Sequence, residues 1–206
     1  MSIITVSREF GSGGREVGKR LADALGYRYF DKEIVNYIAE RHQMDEKYVD
    51  AALNNGLMGD FPLHFGRTFS YATTAMMAHN TKLFAEQHKV LREIAAEGNC
   101  IIVGKAADVI LQEFKPFRLF VYADMKSRIA RCRMREEEGQ HLSDKGMERK
   151  IRRIDAERAR YHEIFSGTPW GNKAGYDLCI NTTGQEIKKL VPHIAAYIRS
   201  CMDNDL

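Results

Sequence analysis

The chain has 206 residues, 44% of them hydrophobic and 29% charged, with a formal net charge of +3. That is enough chain for one sizeable core and an ordinary composition for a globular protein, and no apolar run approaches the ~20 residues that cross a bilayer. Cys100, Cys132, Cys179 and Cys201 are scattered, without a C-x-x-C pair or histidines at ligand spacing, which argues for free thiols in a reducing compartment and against zinc. No histidine or carboxylate is assigned to a resident metal. The first apolar run starts almost at Met1, which leaves no room for a targeting segment; the cytoplasm is the expected location.

In chain order, the β-branched run Ile3-Ile4-Thr5-Val6 predicts a buried strand. Gly11, Gly13 and Gly14 follow, with Ser12 between them and Arg15 and Glu16 after them. Val17, Leu21, Ala24 and Leu25 then recur at helical spacing, and Gly26 stands where a helix ends. Strand, glycine turn, helix is the build of a phosphate-binding loop, whose N–H groups and helix terminus favour an anion. A plain tight turn is the alternative, but it has little use for three glycines and a flanking arginine. The loop departs from the Walker A pattern G-x-x-x-x-G-K-[ST]. If Gly13 is its last glycine, the lysine position holds Gly14. If Gly14 is, that position holds Arg15, followed by Glu16 in place of a hydroxyl. Arg15 can clamp phosphate bidentately, and a carboxylate such as Glu16 can hold Mg²⁺ directly or through water.

Tyr27–Phe30 reads as a short strand ending at Asp31, which is either a helix cap or a ligand. Ile34, Val35, Ile38 and Ala39 mark the next helix, and another is expected near Glu46–Leu53. Residues 61–80 mix aromatic and methionine side chains with His64, Arg67 and His79. Packing, a homo-oligomer interface or a substrate lid all fit, with packing or interface preferred. A helix is expected from about Ala75 to Glu97. Ile101-Ile102-Val103 predicts a strand buried on both faces, followed by Gly104, Lys105 and Asp108. Arg118–Ala123 is the next strand, then a helix from Lys126, a polar break at 139–143, and a long helix from about Asp144 to Phe165. Tyr176–Asn181 and a helix over Gln185–Met202 close the chain. The alternation predicts one α/β domain with a parallel sheet and helices on both faces.

Residues 126–160 carry a net charge of +5, which leaves the rest of the chain at −2. Arg128, Arg131 and Arg135 share one helix face. On the long helix, Arg158 sits in the apolar stripe with Asp155 one turn before it, as an ion pair or a ligand group. Two arginine-bearing helices joined by a polar break suggest a lid over phosphates.

These segments resemble the cytidylate-kinase-like family of P-loop nucleoside monophosphate kinases. The resemblance is carried by Ser7 through Glu16, Tyr29 through Glu33, Ile101 through Asp108, Asp155 through Tyr161, and Trp170-Gly171 with Tyr176 through Thr182. It implies a three-layer P-loop fold with an arginine-rich lid at about 131–158 and an acceptor-binding insertion at about 31–97. It also implies transfer of a phosphoryl group from ATP with Mg²⁺ to CMP, dCMP or a related phosphorylated acceptor. Gly11 through Glu16 would hold the donor. Arg15, Arg131, Arg135, Arg152 and Arg158 would neutralise the transferring group, and Asp31, Lys32, Lys105, Asp108, Asp155 and Arg158 would hold the acceptor. The family's arginine in Gly-Arg-Asp is Lys105 here, with the aspartate displaced to Asp108, and Ile151 stands where an arginine precedes Asp155, with Arg152 as its substitute. A nucleotide-binding regulatory module without turnover is the competing reading. Small-molecule nucleotides are the expected partners; a membrane and nucleic acid are not.

Overall fold

The computed structural model describes residues 2–55, 71–136 and 142–203. The aromatic and methionine-rich stretch expected as packing or interface, and part of the polar break in the expected lid, lie outside the described residues or their described side chains. Five strands, β1 (Ile3–Arg8), β2 (Arg28–Phe30), β3 (Cys100–Val103), β4 (Phe117–Tyr122) and β5 (Leu178–Asn181), form one sheet in the order β2-β3-β1-β4-β5. Every pairing is parallel; Val6 pairs with Val103 on one side and Leu119 on the other. β1 is thus central, and the chain crosses over it between β3 and β4. The loop after β1 opens at the carboxyl edge, where such sheets bind ligands.

The side-chain alternation of the strands splits the core in two. Ile4, Val6, Ile101, Val103, Leu119 and Val121 face α1 (Gly14–Leu25) and α8 (Ile187–Asp203). Ile3, Cys100 and Ile102 face the other layer, built from α2 (Glu33–His42), α3 (Glu46–Asn55), α4 (Tyr71–Ala96), the short α5 (Ala107–Ile110) and the end of α7 (Asp144–Ser166). α6 (Met125–Arg133) runs between β4 and α7 and packs on α7. The expected three layers are therefore present. Boundaries differ modestly: β5 begins at Leu178, after the Tyr176 ring turns onto Phe120 with 4.9 Å between centroids. Among the described residues no helix is long and apolar enough to cross a membrane, and the cysteines are free.

Candidate functional site

The glycine loop is held from three sides. Its two left-handed residues are Gly11 (φ 78) and Gly13 (φ 85), conformations that glycine adopts without strain. A Cβ on Gly11 would also lie 2.8 Å from the carbonyl oxygen of Arg128, so α6 presses directly on the loop. Asp155 on α7 accepts the Phe10 N–H at 2.7 Å. The buried Arg128 donates its Nε to the Phe10 carbonyl at 2.8 Å and pairs with both Asp155 and Glu9, the latter at 3.2 Å. Glu9 in turn accepts the Ala123 N–H at 3.1 Å. From the β5 side, the Thr182 hydroxyl donates to the Ser12 carbonyl at 2.7 Å. Arg131 donates to Thr182 O at 2.5 Å and Gln185 O at 3.2 Å. The loop is shaped before any ligand arrives.

α1 begins at Gly14 with Gly13 as its cap residue, so its unpaired first-turn N–H groups and positive dipole end face the loop. A cavity of about 620 Å³ opens there, lined by the glycine loop, Arg131, Arg135 and Lys150. A second cavity of about 410 Å³ lies between the sheet edge, α2, α3 and α7, lined by Asp31, Lys32, Lys105, Tyr161, His162 and Trp170 among others. Three side chains line both: Arg8, Arg15 and Arg158.

At this junction Asp31 is the shared carboxylate. It accepts from Arg15 Nε at 2.6 Å and from Arg8 Nη2 at 3.4 Å. Sequence reasoning left Asp31 as cap or ligand; the residue capping α2 is Lys32, and the Asp31 carboxylate is turned to the arginines. Arg158 donates to the Arg8 carbonyl at 3.0 Å, lies over the Phe10 ring at 5.4 Å and stands 3.8 Å from Asp155. Burial, and next the charge of Arg8, push its guanidinium down to about 9. Burial also pushes the Arg8 guanidinium down. Three cations facing one carboxylate leave an excess of positive charge in a confined place, the condition for binding an anion.

The remaining sequence candidates divide. Lys105, left-handed at φ 58, sends its ammonium to Asp50 at 3.3 Å in the second cavity, where burial pushes its pKa down. Lys32 is exposed on the same rim. Asp108 lies behind that cavity, bonded to His162 Nε2 at 2.8 Å, while His162 Nδ1 meets Ser166 Oγ at 3.1 Å. Asp108 therefore positions a histidine that lines the cavity. Asp155 lines neither cavity and staples the loop. Glu16 is paired with Arg20 at 2.9 Å and Arg135 at 3.5 Å, at the first cavity's edge. Arg152 is not brought to the site: its side chain is 67% exposed and paired with Glu148.

The reading from residues gave no role to Arg8 or His162, and it placed Arg128 on the basic face of a lid, whereas Arg128 is buried against Glu9, Asp155 and the Phe10 carbonyl. Arg8 was visible as a charge at the end of a buried strand; for Arg128 and His162 the partners are too distant in sequence to be inferred.

A family model described as the cytidylate kinase-like family matches residues 3–184. The chain belongs to that family. Among solved structures, an uncharacterized protein from Eubacterium ventriosum is similar at TM-score 0.69 and 23% identity, over 97% of this chain and 99% of that one. The shikimate kinase from Bacteroides thetaiotaomicron matches at TM-score 0.58 and 14% identity, over 96% and 98%. The Acinetobacter baumannii shikimate kinase in complex with shikimate matches at 0.54 and 15%, over 97% and 94%. At these identities the likeness shows a shared fold. A search of curated proteins gives no match.

Proposed function

We propose that the protein is a phosphotransferase that moves the γ-phosphoryl group of ATP from the loop cavity to an acceptor in the second cavity. CMP or dCMP is the acceptor to test first. The observation that carries the reading is the pair of cavities meeting at Arg8, Arg15 and Arg158. In-line transfer needs donor and acceptor on opposite sides of one charge-stabilising point, and little else from the protein. Gly11 through Glu16 would cradle the donor, with Arg131 and Arg135 on its open side. Lys105, Lys32 and Asp31 would hold the acceptor, and Arg15 and Arg158 would neutralise the group in flight.

Mg²⁺, which would accompany ATP and shield its phosphates, fits the loop poorly. Arg15 follows Gly14 where a hydroxyl would be expected, and Glu16 is ion-paired with Arg20 and Arg135. The charge stabilisation is accordingly assigned to guanidinium groups, and no step is derived through the metal.

A second reading of the acceptor is favoured by Asp31. A carboxylate at the transfer point repels a phosphate acceptor but can take the proton of an alcohol, as an aspartate does in protein kinases. The shikimate kinases among the similar folds carry a name that implies such an acceptor. The test is product formation from ATP·Mg²⁺ with ribo- and deoxyribonucleoside monophosphates and with hydroxy acids including shikimate, read by separation of the products. A nucleoside diphosphate from CMP or dCMP supports the first reading. A phosphorylated hydroxy acid replaces it with the second. No product from any acceptor, with ATP bound, turns the assignment to a regulatory nucleotide-binding module.

A further inference from the structure

In the Walker A pattern the first glycine stands six residues before the lysine and five before the second glycine. Helix α1 starts at Gly14, with Gly13 in the left-handed cap conformation, which fixes Gly13 as the second glycine. Counting back, the first glycine's position holds Arg8, and the lysine's position holds Gly14. The chain has a cation where the pattern has glycine, and glycine where the pattern has the cation.

Geometry explains the exchange. A Cβ built on Gly14 would lie 2.4 Å from the Arg8 Cβ and 2.8 Å from its Cγ. Two β-carbons cannot approach so closely, so positions 8 and 14 share room for one side chain. A glycine at the first position leaves that room to the lysine of a standard loop. Here Arg8 takes it, and Gly14 must stay bare.

The head of Arg8 is placed for an anion. Its stem crosses the start of α1, and its guanidinium lies against Gly104, where a Cβ would come within 1.8 Å of Nη1. Its Nε is buried without a hydrogen-bond partner. Its carboxylate contact, Asp31, is a long 3.4 Å away, and Asp31 is held more closely by Arg15. An unused N–H on a buried guanidinium, at the meeting point of two cavities, is an incomplete donor set. Arg15 is less suited to the same task, being one residue further along, about half exposed and already bonded through Nε.

We infer that Arg8 is the functional replacement of the Walker lysine, reaching the β- and γ-phosphates of the donor from the strand side of the loop. This rests on the phosphotransferase reading of the site. A guanidinium there offers bidentate contact to phosphate oxygens, which a lysine cannot.

The experiment is direct titration of ATP binding by calorimetry, with thermal melts and circular dichroism to check folding. Wild type is compared with Arg8→Met, Gly14→Lys and the exchange variant Arg8→Gly/Gly14→Lys. Arg8→Met keeps the stem over Gly14 and removes the charge, and should weaken ATP binding by ~30-fold, the scale of a lost charged hydrogen bond. Gly14→Lys alone should bind poorly and melt lower because its Cβ collides with Arg8. The exchange variant restores the standard pattern and should regain affinity above both single variants. ATP binding by Arg8→Met equal to wild type overturns the inference while leaving the phosphotransferase reading intact. So does a folded exchange variant that binds no better than Gly14→Lys. Should the exchange variant not fold, Arg8→Met decides alone. Absence of ATP binding by the wild type overturns the reading of the site and this inference with it.

Discussion

Replacing Arg158 by methionine should separate what the site costs the fold from what it does for a ligand. The Arg158 guanidinium is held down to about 9, well below the ordinary arginine range, first by burial and then by Arg8, so it is charged at pH 7 but poorly compensated. Each unit is ~1.4 kcal/mol, which sets a ceiling on the order of 5 kcal/mol for the penalty. The side chain is 24% exposed, and screening with local relaxation reduces this to ~1–3 kcal/mol. Methionine forfeits the bond to the Arg8 carbonyl and the contact over Phe10, together ~1–2 kcal/mol. The two nearly cancel. The unliganded variant should therefore have wild-type stability to within ~1 kcal/mol, whereas removing one partner of a well-compensated buried pair costs ~3–5 kcal/mol. Its affinity for ATP should fall by ~10–100-fold, the scale of a lost charged hydrogen bond.

The sign of the pH dependence follows from the same shift. A base with a lowered folded-state pKa is under-protonated in the native state, so its penalty is complete below about 9 and is relieved as pH rises through that value. Measured by urea unfolding, wild type should gain stability relative to Arg158→Met between pH 8 and ~10. ATP binding would be titrated in parallel. A variant destabilised by more than ~3 kcal/mol that still binds ATP normally would show that Arg158 is a structural ion-pair partner and refute the charge argument.

Asp155→Asn should cost ~2–3 kcal/mol in urea unfolding, because it leaves the buried Arg128 with Glu9 as its remaining carboxylate and weakens the cap on Phe10 N–H; a loss below ~0.5 kcal/mol would mean that the staple is dispensable. Gly104→Ala places a β-carbon 1.8 Å from Arg8 Nη1 at φ +79, and should lower both the melting temperature and ATP affinity. Unchanged affinity would show that Arg8 need not lie where it does. Arg152→Ala removes an exposed pair with Glu148 and should change stability by ~0.5 kcal/mol or less, with turnover untouched; a large fall in kcat would return Arg152 to the site.

The layers of this fold are legible because strand and helix periods are local properties. Ile3–Val6 and Ile101–Val103 could hardly be other than buried strands, and the glycine loop announces itself by three glycines in four residues. The site is less legible because its partners come from afar. Asp155 pairs in the sequence reading with Arg158, one turn away. In the structure its closer contacts are Phe10 and Arg128, 145 and 27 residues distant. Asp31 could cap a helix or bind a ligand until two arginines, one at the end of β1 and one in the first turn of α1, are seen to claim it. Arg152 looks like a substitute for a missing arginine by its neighbourhood in sequence, yet a shift of one residue from Ile151 turns it by 100° on the helix, out of the buried face.

The charged residues around the loop divide into two groups. Arg128, Asp155 and Thr182 fix the backbone of the loop through two of its carbonyls and one N–H, and Arg131 holds Thr182 in place. The charge of Arg128 is matched by Glu9 and Asp155, so it adds little net field at the junction. Arg8, Arg15 and Arg158 are matched by Asp31 and a distant share of Asp155. The first group secures shape, and the second leaves an unbalanced charge. A preorganised loop pays its ordering cost at folding, so a phosphate entering it meets donors already in place. What an anion then supplies is counter-charge for Arg158 and Arg8, whose guanidinium groups burial pushes down and Asp31 and Asp155 offset only in part.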